Sequence, residues 1–138
     1  MPNPFQPPES NHAQAPPELV DFTPSDQDRN LAIIAHLSGC VGILAGGLIG
    51  FVGPLIIYLT QKDKSPFAEV QAKEALNFQI SLLMLTVVCY AIAVGSCGTL
   101  FPIVFLPMVL QIVFGIIAAL AVRDGRPYRY PYNLRLFQ

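Results

Sequence analysis

Four polar side chains recur at intervals of four near the middle of the chain: Glu69, Lys73, Asn77 and Ser81. On an α-helix that spacing lines them along one slowly turning face, because residues four apart stand nearly one above the other. A stripe of this kind, descending from a charged loop into an apolar segment, supports two kinds of chemistry. It can bond to neighbouring helices, each bond being worth about 0.6–2 kcal/mol in a membrane. It can also form one wall of a hydrophilic groove, open to the cytoplasm, that receives a polypeptide or a solute. His36 and Gln111 are further polar groups inside long apolar runs. His36 fits a neutral imidazole bonded to a side chain of the stripe-bearing helix, with a proton or metal role as the alternative. Gln111 fits interhelical hydrogen bonding. No nucleophile, base and orienting group fall together, so no catalytic residue is named and an enzyme is not expected. Cys40, Cys89 and Cys97 form no CxxC pair, and no second histidine or acid lies deep in an apolar run, so neither metal nor cofactor is expected. A Cys40–Cys97 disulfide is conceivable, and a reduced apolar role is favoured.

The elements that must hold these residues follow from composition. Of 138 residues, 53% are hydrophobic and 12% charged, too much apolar surface for a soluble chain of this size to hide, so lipid is the expected solvent. Residues 1–23 carry six prolines and no basic residue, which reads as a disordered tail and not as a secretory or transit signal. Order is expected to begin at Thr23-Pro24-Ser25-Asp26, with Thr23 as cap and Pro24 in the first turn. From Leu31 to Thr60 only His36 can carry charge near neutrality. That run is too long for one helix across about 30 Å of hydrocarbon. Gly46-Gly47 is the expected break, followed by a short helix that Gly53-Pro54 would kink. Ser38, Gly42, Gly46 and Gly50 also recur at four, a small-residue pattern for close helix approach that conflicts with the break; the break is favoured. Ser65 caps the next helix with Pro66 in its first turn, and nothing stops that helix before Gly95.

The expected fold is therefore all-α, an integral membrane bundle of four helices over 24–45, 48–61, 65–94 and 102–123, behind a disordered proline-rich tail. Three regions result: the tail at 1–23, the transmembrane domain at 24–124, and an interfacial aromatic and arginine segment at 125–138. Tyr58, Tyr128 and Tyr130 suit the headgroup layer, as do Lys62, Lys64, Arg123, Arg126 and Arg129. The Lys62–Lys73 loop and the C-terminus hold nearly all the positive charge, while the links at 45–47 and 95–101 hold none, so the former pair should face the cytoplasm. A three-span arrangement keeps those loops inside and moves the acidic tail outside. Nucleic acid is not an expected partner, since the arginines flank a membrane exit.

The run GPLIIYLTQKDKSPFAEVQAKEALNFQIS, with LAIIAHLSG before it and YRYPYNLRL after it, resembles a family of small bacterial membrane proteins of unknown function similar to Tic-twenty, a chloroplast import component. The resemblance covers about residues 27–136. It implies a four-helix protein of the bacterial plasma membrane, with no enzymatic activity, that scaffolds or assists assembly or translocation of other membrane proteins. A small transporter or channel acting as a homo-oligomer is the alternative. The partners implied are the lipid bilayer together with other membrane proteins or further copies of the chain.

Overall fold

The structure, a computed structural model, describes residues 23–131, 133, 134, 136 and 137. The expected disordered tail, apart from Thr23, lies outside the described residues. Four α-helices follow in order: α1 (Asp26–Val41), α2 (Val52–Gln61), α3 (Pro66–Gly95) and α4 (Leu106–Arg123), with 3-10 turns at Gly42–Ala45 and Phe101–Phe105. Among the described residues there is no strand.

Local sequence explains each boundary. The N-cap of α1 is Ser25, not Thr23: its hydroxyl accepts from the Asp28 N–H (3.2 Å) while the Asp28 carboxylate accepts from the Ser25 N–H (3.0 Å). At Ser25 the residue three positions on, Asp28, answers the cap and closes a reciprocal capping box. Pro24 stays outside the helix, its carbonyl accepting from Arg29 Nε at 3.0 Å. The chain breaks at the expected place. Gly46 and Gly47 both have positive φ (66° and 85°), conformations that glycine adopts without the Cβ penalty. The glycine stripe consequently does not run down one helix. Instead Gly42 and Gly50 face each other across the reversal so closely that a Cβ on Gly42 would strike the Gly50 backbone, and Gly53 meets Ser38 in the same way. The second helix is shorter than expected, beginning at Val52, so Gly53-Pro54 falls in its first turn and no kink is needed. A missing N–H costs nothing there, because first-turn donors have no intrahelical acceptor. At Ser65 the hydroxyl accepts from Ala68 N–H at 3.1 Å and Pro66 opens α3, whose 30 residues run unbroken to Gly95.

Helix α1 lies at the centre of the bundle, packing most extensively on α4 and then on α3 and α2. Its buried face is Ala32, Ala35, His36 and Gly39, and Gly115 of α4 lies against the His36 carbonyl and the Cys40 sulfur, with Ala118 and Ala119 buried beside it on α4. Small side chains on both sides let the two backbones approach, and dispersion between many close atoms then holds them. Direct packing of α3 on α4 is slight, which leaves room between them on one side. Helix α3 and the stretch Phe101–Arg123 are each long and apolar enough to cross a membrane. Their exteriors carry Val87, Val88, Val94, Val109, Ile112, Val113, Ile116 and Leu120 in the open, apolar surface of the kind that marks contact with lipid or with another protein.

One end of the bundle collects the charges. The start of α1, the α2–α3 loop and the end of α4 converge there: the Ser65 hydroxyl bonds Asp28, and Gly125 abuts Pro24 and Arg29. The opposite end, formed by residues 42–51 and 95–105, has no charged residue.

Candidate functional site

Beyond α4 the chain does not leave the bundle. It turns at Gly125 (φ 75°) and lays an extended segment into the space between α3 and α4. A ladder of α3 side chains bonds the segment's main chain. Gln71 Oε1 accepts from Tyr128 N–H (3.2 Å), Glu74 Oε1 from Tyr130 N–H (2.8 Å), and Ser81 Oγ from Leu134 N–H (2.9 Å). Asn77 Oδ1 accepts from both Leu136 N–H (3.0 Å) and Phe137 N–H (2.9 Å), while its Nδ2 donates to the Phe137 carbonyl at 2.8 Å. The segment descends to the level of Ser81 and doubles back, with Leu136 N–H on the Leu134 carbonyl (3.1 Å) marking the reversal. Asn133 adds a side-chain bond to Glu74 Oε1 at 3.1 Å. Extended backbone has donors with no partner of its own, so these bonds supply what a neighbouring strand would otherwise provide.

The anchor of the segment is Tyr130, only 3% exposed. Its ring stacks on Phe78 with centroids 3.8 Å apart and planes 5° from parallel, with Phe114 edge-on at 6.5 Å. Its hydroxyl reaches His36 Nδ1 at 2.9 Å, and His36 Nε2 lies 3.1 Å from Gln71 Oε1. These contacts fix the tautomer. Gln71 Oε1 already accepts the Tyr128 N–H, so it is the oxygen; Nε2 must then carry the proton, and Nδ1 accepts from the Tyr130 hydroxyl. Burial, more than the neighbouring Tyr128 and Glu74, pushes the Tyr130 phenol well above its usual range, which keeps it a donor. Tyr128, half-buried, is also pushed up, by burial and then by Glu74.

A second polar cluster lies deeper, toward the uncharged end. Gln79 Nε2 donates to Gln111 Oε1, and Gln111 Nε2 reaches Cys40 Sγ at 3.7 Å. Gly39 and Gly50 make space for Gln79, since a Cβ at either would collide with its amide. The small cavity beside this cluster, about 20 Å³, is lined by Gly47, Thr86 and Val104 among others, too little room for a transported solute.

The four-spaced stripe thus divides in two. Each four-residue step on an α-helix drifts about 40°, and by Ser81 the stripe has turned away from Glu69. Glu69 and Lys73 form an ion pair (3.0 Å) on the side of α2, where the Lys73 ammonium lies 5.5 Å from the Tyr58 ring. Asn77 and Ser81 turn instead to the C-terminal segment, so their partners are not the neighbouring helices expected. Gln71 and Glu74 complete the ladder and were not singled out from the sequence; their steps of three and three to Asn77 are the signal that could have found them. His36 bonds a side chain of α3, Gln71, together with a tyrosine from the C-terminal segment. Gln111 bridges α3 and α1. Tyr130 is a core residue and not a headgroup anchor, because its ring fills the gap that the slight α3–α4 packing leaves. Tyr58 packs on Phe137 at 6.2 Å. Lys62, Lys64, Arg123, Arg126 and Arg129 are exposed at the charged end, with Arg123 and Arg126 both reaching Asp124, at 3.5 and 3.3 Å. Cys40 and Cys97 are free thiols. Among the described residues no three histidine, cysteine or acidic side chains gather to hold a metal ion.

Comparison with curated proteins and with solved structures returns no match. A family model does match, over residues 27–137, and it is not the Tic-twenty-like grouping that the sequence motifs suggested. The resemblance is corrected accordingly, and the translocation role it implied falls with it. The matched stretch includes the four helices and the segment that binds α3, and on that evidence the chain belongs to MamF/MmsF, the magnetosome magnetite crystal formation protein family.

Proposed function

We propose that this protein is a non-enzymatic, multi-pass component of the magnetosome membrane that acts in magnetite crystal formation. The family match over residues 27–137 carries the reading. The apolar exteriors of α3 and α4 support a place in lipid, and the charged end then faces one compartment. By the bias of lysine and arginine toward the cytoplasm, that end, with the start of α1 and the end of α4, is cytoplasmic. A structural role is favoured over transport because the deep polar groups are spent on one another: His36 on Tyr130 and Gln71, Gln79 on Gln111.

The test is deletion of the gene in a magnetosome-forming bacterium, with crystal size and shape measured by electron microscopy and the full chain restored from a plasmid. Altered crystals, rescued by the plasmid, are the expected result. Unaltered crystals, or a chain recovered from the aqueous fraction after alkaline carbonate washing, would remove the proposal.

A further inference from the structure

The C-terminal segment behaves like a bound peptide more than like a terminus. Its hydrogen bonds from Gln71, Asn77 and Ser81 go to main-chain groups, which every extended polypeptide offers, and one aromatic anchor, Tyr130, selects the register. Only residues 124–127 join it to the end of α4, since Tyr128 N–H is already held by Gln71. That connection contains Gly125 at positive φ and Pro127. Short, conformationally demanding hinges favour exchange of the element beyond them, and an exchanged copy of the same element makes every contact the original made.

We propose that this site takes the C-terminal segment of a second copy of the chain, so that two protomers side by side trade residues 128–137 and each completes the other's His36 pocket with a tyrosine. Access, reach and orientation all allow it. A lateral crevice of about 460 Å³, lined by Phe78, Leu82, Leu110, Phe114, Pro131 and Leu134, opens between α3 and α4 beside the segment. The segment can therefore enter from the side, with the helices left in place. The exchanged residues are seated from Tyr128 onward, so the reach comes from residues 124–127 alone, about 13 Å at roughly 3.3 Å per residue, enough to cross one helix diameter of about 10–12 Å where two α3–α4 grooves face each other. Every charged residue of the described bundle lies at one end, so copies in one membrane share an orientation and present their grooves at the same level.

The experiment uses the full chain with Cys40, Cys89 and Cys97 replaced by alanine. Two differently tagged copies are co-expressed, one carrying Ser81→Cys and the other Leu134→Cys, and membranes are oxidised mildly. The expected result is a disulfide-linked dimer bearing both tags, lost when four residues are inserted after Gly125 to relax the hinge. Absence of that dimer, while one copy carrying both substitutions closes its own disulfide, overturns the proposal. Should the double variant form no bond, a photoreactive residue at Leu136 of one tagged copy in the natural-cysteine background decides. Crosslinks to α3 of the other copy support exchange, and crosslinks confined to its own α3 refute it.

Discussion

The two halves of α3 are one unbroken helix in two different surroundings. Between Pro66 and Ser81 it buries Ala68, Gln71, Ala72, Ala75, Leu76, Asn77, Phe78 and Gln79, nearly its whole circumference from residue 71 onward. Between Leu82 and Gly95 it buries only Leu82, Thr86, Cys89 and Ala93, a single stripe at steps of four, three and four. The first half is enclosed by α1, α2 and the C-terminal segment; the second has α1, α4 and their turns on one side and, under the proposed placement, lipid on the other. Helix polarity alone therefore does not decide what a membrane helix exposes. Polar side chains are retained in the first half because the chain brings its own main chain to meet them, and an unmet group there would cost about 1–3 kcal/mol.

Substitutions along this divide test it, and the largest effect belongs to the anchor of the enclosed half. Tyr130→Ala removes a buried ring and the donor to His36, and should lower stability by about 3–5 kcal/mol, read as the loss of folded protein in detergent on heating. Tyr130→Phe should retain most of that ring contribution. Gly39→Val lies where α1 touches the boundary between the halves; displacing the Gln79 amide should cost about 1–3 kcal/mol, measured in the same way. Asn77→Leu takes away the partner of the Phe137 N–H and of the Phe137 carbonyl and should cost about 1–2 kcal/mol. Its distinguishing sign is faster proteolysis near residue 134 while the helices resist. In the exposed half, Val88→Ala should change stability by less than about 0.5 kcal/mol. A large loss there would mean that another protein, and not lipid, covers this face.

The smallest effect concerns pH at the charged end. Hydrogen bonds from Ser65 and then from Ser25 hold the Asp28 carboxyl below its usual range. A depressed folded-state pKa means that the stabilisation is complete above the ordinary carboxylate pKa and disappears as pH falls through the lower folded value. Acidification below about pH 4 should therefore fray the start of α1, seen as faster amide exchange at residues 26–30. Asp28→Asn should flatten that dependence.

Much of the frame was legible in the sequence. Gly46-Gly47 announced the reversal and Ser65-Pro66 the start of α3, because both are local devices whose energetics depend on adjacent residues. The gathering of Lys62, Lys64, Arg123 and Arg126 at one end followed from charge counting. The C-terminal segment was misplaced for a physical reason: an alternation of tyrosine with arginine and proline fits a headgroup layer as well as a groove. Its true partners are side chains that bond main-chain amides, and amides leave no mark on sequence. The cap at Ser25 was missed because Thr23 with Asp26 and Ser25 with Asp28 have the same spacing in sequence, and only the folded helix start shows which pair closes the box. The family was misassigned from motifs in the same membrane region that the family model covers.

The bond between His36 and Tyr130 joins residues separated by 94 positions. During translation at about 5–20 residues per second, the imidazole waits some 5–20 s for the hydroxyl that completes it. Within that interval the rest of α1 and then α2, α3 and α4 are made in turn, and the earliest helix is completed by a side chain synthesised only after all four.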